Sequence, residues 1–442
     1  MVLNYEIYSI NKLLQSGGNY IKIDLIIKNI GDLIAMDGPQ RPWLKDDIDN
    51  LKRIKNGCVL VSDGKILEAG ESSILDKYEV TSNTEVIDAN GKLVTPGLVD
   101  SHVHLIFAGW REKELSLKLK GASYIEILEQ GGGILYNVKK TRAATEDELY
   151  KHVYKLMNTM LEHGTTTSEA KSGYGLNLES ELKSLRIVKE LDRDHKVDLV
   201  PTFLGAHAIP FEFKNNPDKY VDIVINEMIP AVANEGLAEF CDVFCEDGVF
   251  TIEQSRGILN AAKEYGMKLK IHGDELLPFG GGELAAEVGA TTAEHLLNVS
   301  DKGIRQMAGK GVIATLLPGT PFYLMLDRYA DARKMVDNNV PVALATDLNP
   351  GTSATESLQI VMNLASYMQK MTPEEIITAV TVNAAFGIDR GNLVGSLTEG
   401  KLADIVIWDA PNLEFIVYHF GVNLVNKVLK KGELVVENGK LI

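Results

Sequence analysis

The sequence has few cysteines and no long apolar run. These two features argue against a disulfide-stabilised secreted protein and against a membrane-spanning protein. Its three cysteines are too few, and odd in number, to form a disulfide framework. No stretch approaches the roughly 18 to 20 consecutive apolar residues that a membrane-spanning helix requires. The first residues, MVLNYEIYSINKLLQSGGNY, have no basic segment leading into an apolar core, unlike a secretory signal peptide. We therefore expect a protein of the reducing cytoplasm.

Positive charge is also scarce. The 45 lysines and arginines against 61 acidic residues give a net charge of −16 at pH 7. Binding to nucleic acid or to an anionic membrane depends on clustered lysine and arginine, so neither is expected as a partner. A small anionic substrate is still compatible with this charge, because one local arginine can dominate a binding site.

Both ends of the chain have the pattern of short β-strands. Runs of β-branched residues are bounded by tight turns such as Asn90-Gly91, which indicates hairpins. Because chain termini often lie close together, we predict one small β-sandwich domain built from residues 19–92 and 396–442. Residues 1–18 are predicted to be an N-terminal extension.

The middle of the chain, residues 93–395, alternates strand and helix patterns. Eight such units in about 300 residues predict an α/β protein with a (β/α)₈ TIM barrel, whose active site lies at the C-terminal ends of the strands. No G-x-G-x-x-G follows the first strand, which argues against an open dinucleotide-binding sheet. The eight predicted strands cover residues 93–105, 165–175, 197–207, 239–246, 267–275, 290–298, 311–319 and 340–350.

Five of the nine histidines fall at the C-terminal ends of predicted strands, a concentration on one face that is hard to obtain from packing alone. His102 and His104 should point to the same side, because residues i and i+2 of a strand share a face. The five are His102, His104, His207, His272 and His295. The other four, expected to serve packing or to lie on the surface, are His152, His163, His195 and His419.

His102, His104, His272 and Asp347 are predicted to bind a metal ion. Asp347 ends the eighth strand, which adjoins the first strand in a closed barrel, so its carboxylate should face the H-x-H pair. Three imidazoles and one carboxylate favour Zn²⁺ or another transition ion over Mg²⁺ or Ca²⁺. Such an ion lowers the pKa of bound water towards about 7, which is hydrolytic chemistry. The end of the fourth strand, F-C-E-D-G, has no bridging lysine, which favours one metal ion over two.

Carboxylates near the predicted metal site could transfer protons. Asp274 and Glu275 directly follow the third imidazole, and the proton carrier is left open between Glu275 and Asp347. His295 is expected to polarise the substrate or support a ligand rather than bind the metal. Either His295 or His207 could help to stabilise a developing oxyanion.

The chain resembles the amidohydrolase superfamily from about residue 20 onward. The runs that carry this resemblance include P-G-L-V-D-S-H-V-H (96–104), T-V-N-A-A (381–385) and G-S-L-T-E-G-K-L-A-D-I-V-I-W-D (395–409). Further runs resemble the cyclic amidases that open an imidazolone ring in histidine degradation, among them A-G-W-R-E (108–112) and E-A-K-S-G-Y-G-L (169–176). Several segments agree in order and spacing, so chance is a poor explanation.

The resemblance implies hydrolysis of a small anionic cyclic amide by a homodimer with one Zn²⁺ or Fe³⁺ per subunit. Another cyclic amidase or an aminohydrolase would have nearly the same metal site, whereas a non-catalytic scaffold would be expected to have lost ligands. Arg111 could bind the carboxylate tail of the substrate bidentately. The substrate contacts that the resemblance implies are Arg111, Tyr174, His207, Glu275, Asn349, Gly351 and Thr352.

Overall fold

The structure, a computed structural model, describes residues 22–121, 126 and 132–442. The predicted extension 1–18 lies outside the described residues. The strands are β1 Leu25–Ile30, β2 Asp32–Leu33, β3 Gly57–Ser62, β4 Lys65–Glu71, β5 Glu85–Asp88, β6 Leu93–Pro96, β7 Leu98–Asp100, β8 Thr165–Lys171, β9 Asp198–Ala206, β10 Phe240–Cys245, β11 Lys268–Gly273, β12 Thr292–His295, β13 Ile313–Leu316, β14 Val342–Leu344, β15 Ile405–Trp408, β16 Val425–Lys430, β17 Glu433–Glu437 and β18 Lys440–Leu441.

The described α-helices cover Lys45–Asp49, Glu112–Leu119, Ile134–Ala143, Glu146–Glu162, Leu178–Asp194, Pro217–Ile223, Ile229–Asn234, Ile252–Glu264, Gly281–Val288, Asp301–Lys310, Gly319–Tyr323, Ala332–Asp337, Leu358–Gln369, Pro373–Ala379, Val382–Gly387 and Leu413–Tyr418. Among the residues described, no helix has both the length and the apolar character needed to span a membrane.

Two sheets form the small domain. The first has the order β4-β3-β1-β5, and the second, β18-β17-β16-β15-β6-β2, combines strands from both ends of the chain. Buried apolar side chains such as Ile27, Val59 and Ile405 share one hydrophobic cluster with side chains of both sheets. The Asp63-Gly64 turn joins β3 to β4 with a positive φ at both residues, the geometry that a two-residue hairpin turn requires. The predicted β-sandwich built from both chain ends is confirmed.

One strand lies in a different sheet from the one predicted. Residues 93–105 are predicted as the first barrel strand, but β6 pairs with β15 in the small domain, and only β7 belongs to the barrel. The chain changes sheets at Gly97, where a Cβ atom would lie 2.3 Å from Oγ1 of Thr166. A side chain at this position would collide with Thr166, so the close approach of the two segments requires glycine. The domain limit predicted at residue 395 stays a prediction.

The barrel consists of eight parallel strands in sequential order from β7 to β14, and the predicted fold class is confirmed. All eight predicted strands are present, although shorter than predicted. Backbone hydrogen bonds close the seam beyond β7 and β14: the Asp347 N–H donates to His102 O, and the His104 N–H donates to Leu348 O, both at 3.0 Å. At this seam the segments that follow β7 and β14, which carry predicted metal ligands, are in direct contact.

Local capping signals mark both ends of the barrel helix Ile252–Glu264. Helix Ile252–Glu264 starts after Thr251, whose hydroxyl accepts a hydrogen bond from the Gln254 N–H, while the Gln254 side chain accepts from the Thr251 N–H. Past its end, Gly266 has φ +80°, the left-handed conformation in which glycine commonly ends a helix. These two caps set the length of this helix, and β11 begins two residues after Gly266.

Candidate metal centre

The four predicted metal ligands lie together at the C-terminal mouth of the barrel. The Nε2 atom of His104 is 3.3 Å from that of His102 and 3.2 Å from that of His272. Oδ1 of Asp347 is 3.4 Å from the Nε2 atoms of both His102 and His104. Three imidazole nitrogens and one carboxylate oxygen therefore converge on one point, and this donor set fits a transition-metal ion.

Asp347 is held in place by its own backbone and by a hydroxyl. Its φ is +52°, which turns the residue out of the direction of β14, and its N–H is fixed on His102 O. Its Oδ2 accepts a hydrogen bond of 2.5 Å from the Thr320 hydroxyl, which leaves Oδ1 to face the imidazoles. Burial alone would raise the pKa of Asp347. Hydrogen bonds with the His102 imidazole and the Thr320 hydroxyl outweigh this effect and lower the pKa to about 2. The carboxylate is thus ionised and ready to bind a cation.

Two buried carboxylates lie behind the imidazoles. Oε2 of Glu294 is 2.6 Å from Nδ1 of His102, and Oδ2 of Asp242 is 2.8 Å from Nδ1 of His272. A carboxylate at Nδ1 keeps the proton on that nitrogen and leaves Nε2 free for the metal. Sequence reasoning missed both residues. The available signal was an acidic residue in the middle of an otherwise apolar strand, as in F-C-D-V-F-C.

Two lysines complete a charged layer inside the barrel below the imidazoles. Lys171 and Lys270 are fully buried, and both contact Glu169 and Glu294. Lys171 additionally lies 2.6 Å from Asp242. Sequence reasoning also missed these residues, although Glu169 and Lys171 have the i, i+2 spacing that places two side chains on the same face of β8.

Asp274 and Glu275, the two carboxylates that follow His272, have different environments. Asp274 accepts hydrogen bonds from the N–H groups of residues 279, 280 and 282, so it shapes the start of helix Gly281–Val288. Oε2 of Glu275 instead lies 3.7 Å from Nε2 of His295. Burial raises the pKa of Glu275 to about 8, and the nearby Asp347 carboxylate adds to this increase. Only Glu275 of this pair is available for proton transfer.

His295 lies beside the predicted metal ligands. Its ring centroid is 5.5 Å from that of His102 and 5.2 Å from that of His272, and a nitrogen of each of these three rings lies within 4.8 Å of the others. Burial lowers the pKa of His295 to about 3, so its imidazole is neutral near pH 7. The expectation that it contacts substrate rather than metal stays a prediction.

The predicted carboxylate-binding arginine lies against the loop that follows β14. Nη2 of Arg111 is 2.9 Å from Oε2 of Glu114, and a Cβ atom on Gly351 would lie 2.0 Å from Nη1 of Arg111. The guanidinium therefore packs on the bare backbone of Gly351. Asn349 and Thr352 lie in the same loop, but the Asn349 side chain accepts hydrogen bonds from the N–H groups of Gly351 and Thr352. Asn349 thus holds the loop in shape.

Tyr174 and His207 line the site beside His104. The His207 ring stacks on His104 with centroids 4.9 Å apart and an interplanar angle of 20°, and the Tyr174 ring meets it edge-on. Nδ1 of His207 lies 3.0 Å from Gly173 O. The loop that carries Tyr174 is fixed by Glu181, a buried carboxylate that accepts from the N–H groups of Gly173, Gly175 and Leu176 and that sequence reasoning missed.

Comparison with known proteins agrees with this geometry. The sequence profile of the amidohydrolase family matches residues 93–435, which includes every barrel strand and every predicted site residue. This chain belongs to the amidohydrolase family. Among its relatives, imidazolonepropionase from Alkaliphilus metalliredigens (strain QYMF) is 53% identical over 95% of this amidohydrolase and 100% of the relative. Imidazolonepropionase from Thermoanaerobacter pseudethanolicus is 52% identical, with coverage of 95% and 100%.

Two solved structures have the same fold. An adenosine deaminase from Xanthomonas campestris with bound zinc is 16% identical, with a TM-score of 0.70 and coverage of 96% of this amidohydrolase and 95% of that chain. Atrazine chlorohydrolase from Arthrobacter aurescens TC1, complexed with zinc and atraton, is 15% identical, with a TM-score of 0.72 and coverage of 95% and 96%. At these identities the likeness concerns the fold. The predicted resemblance to ring-opening cyclic amidases is confirmed by the imidazolonepropionase relatives.

Proposed function

We propose that this amidohydrolase is an imidazolonepropionase, which hydrolyses 4-imidazolone-5-propanoate to N-formimidoyl-L-glutamate in histidine degradation. The observation that carries the proposal is the identity of 50% or more with imidazolonepropionases along nearly their whole length. The complete donor set at the barrel mouth supports it, because a chain that had lost its chemistry would be expected to have lost ligands.

The cofactor in this proposal is one Zn²⁺ or Fe³⁺ per subunit, bound by His102, His104, His272 and Asp347. Imidazole and carboxylate suit either ion. When bound, such an ion lowers the pKa of a coordinated water and polarises a carbonyl group. Glu294 and Asp242 would hold two of the imidazoles in the orientation that the ion requires.

His207 is proposed to accept a hydrogen bond from an N–H group of the substrate ring. Because Gly173 O can only accept, Nδ1 of His207 carries the ring proton, and Nε2 has a free lone pair. Burial lowers the pKa of His207 to about 4, so it has no second proton to donate near neutral pH. Of the two histidines considered for the oxyanion, His295 is therefore the better candidate.

Glu275 is proposed as the group that moves the proton from water to the leaving ring nitrogen. Both oxygens of Asp347 are engaged, Oδ1 with the imidazoles and Oδ2 with Thr320, and its low pKa makes it a weak base. The raised pKa of Glu275 brings that carboxyl near neutral, where a proton carrier works best.

Arg111 is proposed to bind the propanoate carboxylate, and Gly351→Ala is expected to weaken that binding. The added methyl group would occupy the position of the guanidinium, which must then move away. Loss of a charge-assisted hydrogen bond costs about 1.5 to 3 kcal/mol, so KM should rise roughly 10- to 150-fold with a small change in kcat. Steady-state kinetics of Gly351→Ala and Arg111→Met will measure this. The matched control is an imidazolone without the propanoate tail. With this substrate, both variants should have the KM and kcat of the wild type.

The function itself is tested by following the ultraviolet absorbance of imidazolonepropionate with purified protein. With metal-replete protein the absorbance is expected to fall as the substrate is hydrolysed. Protein treated with a chelator is expected to cause this decrease only after metal is restored. No absorbance change with metal-replete protein would reject the proposal, and deamination of a purine or pyrimidine instead would identify an aminohydrolase.

We further propose that the protein acts in the cytoplasm as a homodimer. The composition supports the first part, with three cysteines, all buried and unpaired. The resemblance to the cyclic amidases supports the second, which sedimentation of the purified protein will test.

A further inference from the structure

The ammonium group of Lys171 lies where three buried carboxylates meet beneath the metal centre. Its Nζ is 2.6 Å from Oδ2 of Asp242, 3.0 Å from Oε2 of Glu169 and 3.2 Å from Oε2 of Glu294. The carboxylates come from three different strands, β8, β10 and β12, and all four side chains are fully buried. Neither the proposed reaction nor the predicted ligand set uses this lysine.

Two of these carboxylate oxygens are shared with the metal-binding histidines. Oε2 of Glu294 faces both Lys171 and Nδ1 of His102, and Oδ2 of Asp242 faces both Lys171 and Nδ1 of His272. The ammonium is therefore connected through one carboxylate oxygen to each of two imidazoles. It fixes both carboxylates, and through them the rings that they orient.

The same carboxylates could hold a metal ion if the ammonium were absent. Two sets of carboxylate oxygens are close enough to share an ion: those of Glu169 and Glu294 lie within 4.8 Å of each other, and so do those of Asp242 and Glu294. Lys171 lies between these two sets and contacts their carboxylates. Counted as ionised, the three carboxylates and the two lysines Lys171 and Lys270 carry one net negative charge, and removal of Lys171 would leave two.

We propose that Lys171 is a positioning residue that takes the place of a second metal ion and limits the centre to one. Its ammonium occupies the space between the carboxylates, supplies the positive charge that they need in a buried environment, and keeps them directed at His102 and His272. The inference rests on the proposed metal assignment. It explains how a buried acidic cluster can lie next to a metal ion without binding another one.

Titration of the metal-free protein with Co²⁺ tests this proposal. Wild-type protein is expected to saturate at one equivalent with one set of visible absorption bands. Lys171→Met removes the charge and keeps most of the volume, and it is expected to bind a second equivalent and to show altered bands for the first. Metal analysis of protein dialysed against Zn²⁺ gives an independent stoichiometry.

Lys430→Met is the matched control. Lys430 is also buried and also binds two carboxylates, with Nζ 2.6 Å from Asp404 and 2.8 Å from Asp198, but at the opposite end of the barrel. The Lys430→Met substitution should lower the thermal stability of the protein. It should leave the Co²⁺ spectrum and the stoichiometry of one bound Co²⁺ unchanged. A change that is specific to Lys171→Met therefore reports on the centre and not on the loss of a buried charge in general.

The outcomes are separable. If wild-type protein binds no Co²⁺, the metal assignment fails. If wild-type and Lys171→Met protein both saturate at one equivalent, only the inference about Lys171 is overturned. Should Lys171→Met fail to fold, Lys171→Met combined with Glu169→Gln restores the net charge of the cluster and retains Asp242 and Glu294. That variant is expected to bind a second ion more weakly than the first, and saturation at one equivalent would again overturn the proposal.

Discussion

Replacing His272 with glutamine is expected to leave the purified protein nearly free of metal and to lower kcat/KM by at least about 1,000-fold. His272 supplies one of three imidazoles, and its Nε2 lies 3.2 Å from that of His104 at the point where the donors converge. Without the ion, water keeps its ordinary pKa of about 15.7 and supplies no hydroxide at neutral pH. Metal analysis and the absorbance assay on the same preparation will measure both losses.

The control for this prediction is His419→Gln. His419 is an exposed histidine beyond the helix Leu413–Tyr418, and its replacement should change neither metal content nor rate. Retention of a full metal equivalent by His272→Gln would remove His272 from the ligand set. A near-normal rate in a metal-free preparation would contradict the proposed chemistry altogether.

Glu275→Gln is expected to lower kcat by about 100- to 10,000-fold while the protein keeps its metal ion. The amide is nearly the same size but cannot take a proton from water. Asp347→Asn serves as the comparison, because it changes the other candidate carboxylate and should cost metal as well as rate. The pair therefore separates proton transfer from metal binding, with kinetics and metal analysis as the two measurements.

The pH dependence gives a second measure of the role of Glu275. A base must be ionised to act, so the rate should rise with pH as Glu275 loses its proton. Burial raises the pKa of Glu275 to about 8, and a bound cation would lower it by stabilising the carboxylate. The increase in kcat/KM should therefore lie below pH 8 in the metal-replete protein and be absent in Glu275→Gln. An unchanged profile and rate in this variant would exclude Glu275 as the proton carrier.

Several features of the centre were predictable because their signals are local. His102 and His104 share a face through the period of two in an extended chain, whichever fold surrounds them. The alternation of strand and helix patterns predicted the barrel, and a barrel brings all C-terminal strand ends to one face. Sequence could therefore place Asp347 beside the H-x-H pair without any knowledge of side-chain contacts.

Other features depend on partners far apart in the chain. Lys171 meets Asp242 and Glu294 on strands that lie 71 and 123 residues further along. A charged residue in an apolar strand shows that a partner must exist, because an unpaired buried charge is costly, but it does not identify the partner. The pairing follows only from the order and tilt of the strands in the closed barrel.

The sequence by itself determined the fold class and placed the predicted ligands and substrate contacts at the barrel mouth. Only the tertiary structure decided what each of them does there. Asp274 and Asn349 turn their polar atoms to nearby backbone groups, Glu275 faces His295, and His207 is fixed by Gly173 O as a hydrogen-bond acceptor. The physical reason is that position along a strand is a local property, whereas protonation, tautomer and orientation depend on every group that the fold places nearby.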